Sequence, residues 1–175
     1  MNPTFRVTRH ALRQATTLTL THLGHLAVAC SPLLALAAHA QPPAPGTQIE
    51  RGRYLVKTTG CNDCHTAGYT QSGGRTPEKD WLQGDALGWQ GPWGTTFAVN
   101  LRLHVGRLTE AQWVQQARTM QPRPPMPWFG LRDMNDADLK AIYAYIRHAG
   151  PAGDPAPAYV PPGQPVRGAV VKFPG

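Results

Sequence analysis

The sequence has few charged residues, few aromatic residues and few cysteines. Charged residues make up 15% of the 175-residue chain, whereas about a quarter is usual for soluble domains. Aromatic residues account for 8%, and there are three cysteines. No basic run with interleaved aromatic residues occurs, which argues against nucleic-acid binding. Paired carboxylates, a Ser/His/Asp set and a phosphate-binding loop are also missing, so nothing in the sequence predicts a site for a small-molecule substrate.

The formal charge of +7 depends on the first 40 residues. Residues 1–40 contain Arg6, Arg9 and Arg13 and no acidic residue, so the other 14 basic and 10 acidic residues leave a charge of +4. The segment continues into an apolar run that ends at Ala38-His39-Ala40, which fits the small-x-small cleavage pattern of an export signal. We therefore expect residues 1–40 to be an export signal that is removed, and the mature protein to be periplasmic.

Two other interpretations of the first 40 residues stay open. One is an uncleaved membrane anchor, which is disfavoured because the apolar run is short and is interrupted by His22, His25 and Pro32. The other is a lipid anchor on Cys30, which the preceding residues match poorly. With cleavage after residue 40, two cysteines remain in the mature chain, Cys61 and Cys64.

Proline and glycine are abundant, at 18 residues each, which predicts a domain rich in turns. We predict a proline-rich linker over residues 41–48, one domain over residues 49–150 and an extended proline-rich tail over residues 151–175. Within the domain, residues 66–106 lack periodicity and are predicted to be a loop that contains several glycines and tryptophans. A loop of this length in a small domain needs a group other than peptide to pack against.

Caps and apolar periodicity predict three helices. The first spans residues 49–58. The second spans residues 110–119 and follows Thr109, which forms a capping box with Gln112. The third begins after Asn135, carries an apolar stripe with i, i+3, i+4, i+7 spacing and ends at a Gly-Pro pair.

The pattern Cys61-x-x-Cys64-His65 is the strongest chemical signal in the chain. Zinc would need four ligands, yet there is no second cysteine pair, and His104 and His148 stand alone. A redox dithiol is expected at the start of a helix that follows a strand, and no strand pattern precedes this motif. A disulfide between the two cysteines would close a very small loop. The pattern therefore favours covalent haem, with each sulfur added across a vinyl group and the histidine bound to the iron.

The iron of a single haem then needs a sixth ligand or an open face. The candidates in the mature chain are Met120, Met126, Met134, His104 and His148. Met126 lies between Pro124-Pro125 and Pro127, whose fixed φ angles make a stiff frame for a flexible thioether. We therefore favour Met126, with His104 as the main alternative. Ligation by His and Met raises the reduction potential and limits the site to outer-sphere electron transfer, whereas an open or labile sixth position would indicate a haem enzyme or a gas or redox sensor.

Over about Ile49 to Gly150 the sequence resembles class I cytochrome c. The resemblance is carried by the segments "ERGRYLVKTTG", "CNDCH", "PPMPWF" and "MNDADLKAIYAYIR". It implies a small all-α cytochrome c fold, with three to four main helices and long loops around one covalently bound haem c. It also implies that His65 and Met126 are the axial ligands, and that Gly52 lets the first and last helices cross near Ile142 and Tyr143.

The functional expectation is a monohaem electron carrier of the periplasm that is not itself an enzyme. It would act as a free carrier or as the haem subunit of a dehydrogenase or oxidase. Its partners would be redox proteins, namely a dehydrogenase as donor and an oxidase or another cytochrome as acceptor. The tryptophan-rich segment and the tail depart from the minimal family pattern. Trp93, Asn100 and Arg102 are therefore only candidates for contacts with the haem propionates.

Overall fold

The computed structural model describes residues 44–174, so the predicted export signal and residues 41–43 of the predicted linker lie outside the described residues. The helices are α1 Pro45–Thr58, α2 Cys61–His65, α3 Leu101–Gly106, α4 Glu110–Thr119, α5 Trp128–Asp133 and α6 Asp136–Ala149. A 3-10 turn spans Glu78–Asp80, and the strands are β1 Gly88–Gly91, β2 Gly94–Phe97 and β3 Val170–Lys172. The fold is mainly helical, as predicted, with one small sheet. Among residues 44–174, no helix has the length and apolarity needed to span a membrane.

The predicted helices and their caps are confirmed, with one change of boundary. In the capping box of α4, the Thr109 amide donates to Gln112 Oε1 at 2.9 Å and the Gln112 amide donates to Thr109 Oγ1 at 3.3 Å. At the start of α6, the Asn135 side chain accepts from the Asp138 amide at 2.8 Å. Helix α1 begins at Pro45 and not at residue 49, so residues 45–48 of the predicted linker are helical. Proline is well suited to the first turn of a helix, where its missing N–H needs no partner.

The core forms where α1 crosses α6. The side chains of Leu139, Ile142 and Ile146 on α6 are at most 2% exposed. Gly52 makes the close approach possible, as predicted, but its predicted neighbours are wrong: it faces Ala141 and Tyr145. Gly52 meets the backbone carbonyl of Ala141, so the two backbones approach closely there, whereas the side chain of Ile142 is buried in the core.

Residues 66–106 are not a continuous loop, so that prediction is wrong. The segment contains the 3-10 turn, the antiparallel β1–β2 hairpin and helix α3. Asn100 caps α3 by accepting from the Leu103 amide at 3.0 Å. The two strands have four residues each and carry glycines at their ends, so they show no alternation of apolar and polar residues that could predict them.

The proline-rich tail is extended, as predicted, and it packs against the domain. Strand β3 pairs in parallel with β1, which gives the sheet the order β2-β1-β3. A second contact joins Val160 to Thr95 through two backbone hydrogen bonds of 2.8 and 3.0 Å. The sheet therefore depends on a segment that lies about 80 residues away along the chain from its partner strand.

Candidate haem site

Cys61, Cys64 and His65 lie together on the short helix α2. The turn from α1 into α2 passes through Gly60, whose φ of +81° is a left-handed conformation that favours glycine. Residues three apart lie on the same face of a helix, so the two sulfurs are presented on one side. Both cysteines are half-buried, and they are not joined in a disulfide.

Burial raises the pKa of both thiols, and the negative charge of Asp63 adds to this effect. Both cysteines are therefore protonated at neutral pH. Across residues 44–174, no three side chains of His, Cys, Asp or Glu converge as a metal-binding group. These features describe two neutral sulfurs available for thioether bonds.

The ring of His65 is held by a backbone carbonyl. Its Nδ1 lies 2.8 Å from the carbonyl oxygen of Val99, which follows β2 and directly precedes the cap of α3. Burial lowers the pKa of His65, so the ring is neutral at neutral pH. Because Nδ1–H donates to Val99, Nε2 keeps the lone pair that a metal ligand requires. Any residue supplies a carbonyl, so the sequence carries no signal that points to Val99.

The residues around His65 are also fixed by hydrogen bonds. The Gly84 amide donates to the His65 carbonyl at 2.8 Å. The hydroxyl of Thr66 accepts from the Leu82 amide, also at 2.8 Å. At Gly84 a Cβ would lie 2.8 Å from the carbonyl oxygen of Ala98, so only glycine allows this approach. These contacts therefore hold α2 in a fixed position against the segment that contains Val99.

Two buried donors have no hydrogen-bond partner within residues 44–174. They are Nδ2 of Asn62, inside the Cys-x-x-Cys segment, and Nε1 of Trp89, on β1. A buried unpaired polar group costs about 1–3 kcal/mol. A haem brings two propionate carboxylates, which are strong acceptors, so the unpaired indole N–H of Trp89 fits this group. Asn62 lies between the two cysteines that would bind the vinyl groups, at the other edge of a haem from its propionates. The sequence did not distinguish Trp89 from the other tryptophans of residues 66–106.

Met126 is half-buried and packs against the same core cluster as Cys61. It lies in the segment 120–127, named here the Met126 loop, between α4 and α5. The loop is fixed at two points. The hydroxyl of Thr96 on β2 donates to the carbonyl of Pro124 at 2.8 Å. The Trp128 amide donates to the carbonyl of Met126 at 2.9 Å.

The other candidates for an iron ligand have different surroundings. His104 Nε2 lies 3.2 Å from Oε1 of Gln116 on α4. His148 is exposed near the end of α6. Met120 and Met134 pack against the core cluster at the ends of helices. His104, Met120 and Met134 thus have contacts within the protein that do not need iron, and His148 lies at the surface.

The three candidates for propionate contacts already have partners within the chain. Trp93 Nε1 donates to the Trp89 carbonyl at 3.3 Å. The Asn100 amide donates to two carbonyls of the tail, and its oxygen caps α3. Arg102 is 8% exposed, and its three guanidinium nitrogens donate to the carbonyls of Lys79, Ala149 and Gly150. Trp89, whose buried indole N–H has no partner within residues 44–174, is therefore the tryptophan that has a donor left for a propionate.

A helical domain built around a Cys-x-x-Cys-His segment with a buried, oriented histidine defines a c-type cytochrome. The family model described as Cytochrome c matches residues 49–150, which is more than half of the chain. The chain therefore belongs to the cytochrome c family, carries covalently bound haem c and acts in electron transfer. No solved structure matches this chain.

Similar curated proteins are subunits of dehydrogenases. A subunit of the nicotinate dehydrogenase of Pseudomonas putida is 31% identical over 150 residues, which cover 78% of this chain and 12% of that protein. The cytochrome c subunit of the quinone alcohol dehydrogenase of Gluconacetobacter polyoxogenes is 30% identical over 129 residues, covering 66% of this chain and 25% of that protein. The corresponding cytochrome c subunit of Gluconobacter oxydans is 29% identical over 126 residues, covering 64% of this chain and 23% of that protein. The chain thus spans a quarter or less of the length of these relatives.

Proposed function

We propose that this protein is a monohaem cytochrome that passes single electrons from a dehydrogenase to an acceptor protein in the periplasm. It does so as a free carrier or as the haem subunit of the dehydrogenase, and it has no substrate chemistry of its own. The sequence contains one Cys-x-x-Cys-His motif, which supports one haem. The names of the relatives support a dehydrogenase as the donor.

The observation that carries the proposal is the 2.8 Å contact between His65 Nδ1 and the Val99 carbonyl. It sets the tautomer and orientation of the ring before any metal is bound, so His65 is suited to be the proximal ligand. Cys61 and Cys64 would form the two thioether bonds to the haem vinyl groups. When bound, the haem supplies an iron that gains and loses one electron.

We assign Met126 as the second axial ligand. Its loop is framed by prolines and tied to β2 through the Thr96–Pro124 hydrogen bond, so the thioether can be held at a fixed place. Ligation by Met126 would keep small molecules from the iron and would favour the reduced state. The chain therefore contributes orientation, exclusion of water and a fixed ligand set.

Purified holoprotein tests this assignment directly. We expect one haem per chain, the Met–iron absorption band in the oxidised protein, and no rapid binding of carbon monoxide by the reduced protein at neutral pH. Met126→Leu should remove the band, admit carbon monoxide and lower the reduction potential. Met134→Leu and His104→Gln serve as matched controls and should change none of these. Rapid carbon monoxide binding by the unmodified protein would instead identify a haem enzyme or sensor.

The location and the partner need separate measurements. Periplasmic export by a cleaved signal predicts that the mature chain begins at Gln41, which N-terminal sequencing of protein from the native host would establish. A retained leader would favour a membrane anchor. Co-purification from the same host should recover a dehydrogenase, and reduction of the haem by that enzyme and its substrate would identify it as the donor.

A further inference from the structure

The tail after residue 150 lies beyond the part of the chain that matches the family model, yet it makes specific contacts with the candidate haem site. Its Tyr159 hydroxyl donates to the carbonyl of Trp93 at 2.8 Å. The next residue, Val160, exchanges two backbone hydrogen bonds with Thr95. At Gly94 a Cβ would lie 2.4 Å from the Val160 carbonyl oxygen. The tail is therefore seated tightly on the β1–β2 hairpin.

The end of the tail covers the tryptophans of the hairpin. The ring of Phe173 lies 5.5 Å from that of Trp93 and 6.1 Å from that of Trp89, measured between centroids. The Phe173 amide donates to the carbonyl of Gln90 at 2.8 Å. Phe173 thus packs on the residue whose indole nitrogen is buried without a partner.

The tail also reaches the Met126 loop. The guanidinium carbon of Arg123, three residues before Met126, lies 3.9 Å from the centroid of the Tyr159 ring. This distance is typical of a close cation–π contact. The loop is joined to the hairpin as well, through the hydrogen bond from Thr96 to Pro124. Tail, hairpin and loop therefore hold one another at three junctions.

We propose that Tyr159 is a positioning residue for the sixth iron ligand, and that the tail keeps the Met126 loop closed. Tyr159 acts through Arg123 on one side and the hairpin on the other. The inference rests on the proposed ligation by Met126. It gives the tail a function inside this protein: it would hold the Met126 loop in the position from which the thioether can bind iron.

The test uses full-length holoprotein with Tyr159→Ala, Tyr159→Phe and Arg123→Gln. Carbon monoxide binds only when the sixth position is open, so its apparent affinity follows the open fraction. We expect the apparent affinity to rise about tenfold in Tyr159→Ala, in proportion to the open fraction, with a weaker Met–iron band and a lower potential. Tyr159→Phe keeps the ring against Arg123 and should retain most of the closure. Arg123→Gln should raise the apparent affinity less than Tyr159→Ala does, because it removes the contact with the Tyr159 ring and leaves the hydrogen bond to Trp93.

Tyr54→Ala is the matched control. The Tyr54 ring on α1 also pairs with an arginine, Arg51, at 5.5 Å, and we expect its loss to leave carbon monoxide binding unchanged. A general loss of stability would affect both alanine variants, whereas loss of positioning affects only Tyr159→Ala. A chain that ends at Pro157 should be more open still. If this shortened chain does not accumulate with haem, the carbon monoxide affinities of the point variants decide whether the tail positions Met126.

The outcomes separate this inference from the function on which it rests. If the unmodified protein excludes carbon monoxide and Tyr159→Ala admits it, the inference is supported. If the unmodified protein and Tyr159→Ala exclude carbon monoxide equally, the tail does not position Met126, but ligation by Met126 is still supported. If the unmodified protein already binds carbon monoxide rapidly, the closed site and the positioning role are both overturned.

Discussion

Gly52 on α1 faces the backbone of Ala141 on α6 so closely that a Cβ at residue 52 would lie 2.0 Å from the Ala141 carbonyl oxygen. The neighbouring Cβ of Tyr145 would be 2.7 Å away. The two helices can cross at this distance only while residue 52 has no side chain.

Gly52→Ala should therefore lower the free energy of unfolding of the holoprotein by about 3 kcal/mol, because the two helices must move apart. Gly46→Ala on the same helix is the control. No atom lies within 4 Å of its added Cβ, and we expect stability to be unchanged or raised by up to about 1 kcal/mol. Urea denaturation measures both, and equal stability of the two variants would contradict the close crossing.

Arg102→Lys should reduce stability without changing the reduction potential. The guanidinium of Arg102 donates hydrogen bonds to the carbonyls of Ala149 and Gly150 at the end of α6, and to the carbonyl of Lys79. Lysine lacks the planar fork needed to reach all three, so we expect a loss of about 2 kcal/mol. Denaturation and redox titration of the same sample check both parts. A shifted potential with unchanged stability would instead indicate a propionate contact.

Glu78→Gln should lower stability near neutral pH and have less effect in acid. Arg53 donates to the Glu78 carboxylate at 2.7 Å and the Tyr145 hydroxyl donates to it at 2.9 Å. The bond from Arg53, with a smaller contribution from Tyr145, holds the pKa of Glu78 below its ordinary value. Its contribution to stability is present above about pH 4.3, the ordinary pKa of glutamate, and is lost as pH falls through the lowered folded-state pKa.

Denaturation curves from about pH 7 down to about pH 2 should show the difference between Glu78→Gln and the unmodified protein shrinking. Glu110→Gln is the control: its pair with Lys140 is about as exposed as the pair of Glu78 with Arg53, but the charged atoms lie 3.9 Å apart and not 2.7 Å. A long, exposed pair contributes little, so the effect of Glu110→Gln near neutral pH should be the smaller one. If the difference in stability between Glu78→Gln and the unmodified protein grows in acid, the pKa of Glu78 is not lowered in the folded protein.

Cys61→Ala and Cys64→Ala should each leave haem attached through one thioether. The unreacted vinyl group stays conjugated with the ring, so the spectrum of the pyridine adduct should shift in each variant. The double variant should release its haem on acid–acetone extraction. Cys30→Ser should keep both bonds, because Cys30 lies in the predicted export signal. Retention of covalent haem by the double variant would rule out attachment through these sulfurs.

The features predicted correctly from the sequence depend on residues close together in the chain. The capping box at Thr109 and the cap at Asn135 act over three residues. The spacing of Cys61, Cys64 and His65 places all three on one helix. The proline frame of Met126 is likewise local, and its role as ligand stays a prediction.

The features that were missed depend on contacts between distant segments. Strands β1 and β2 are too short for an alternating pattern, and β1 gains its second partner from β3. Gly52 was recognised as a crossing point, but the phase of α6 decided that it meets Ala141 and Tyr145. The carbonyl that orients His65 belongs to Val99, 34 residues away.

The sequence by itself determined the attachment chemistry, the principal helices and the cytochrome c class, because caps, apolar periodicity and ligand spacing act within a few residues. Only the tertiary structure decided which carbonyl orients His65, which tryptophan keeps an unpaired buried N–H, and where the tail lies. Backbone groups are chemically alike at every residue, so their partners are chosen by the packing of the whole chain.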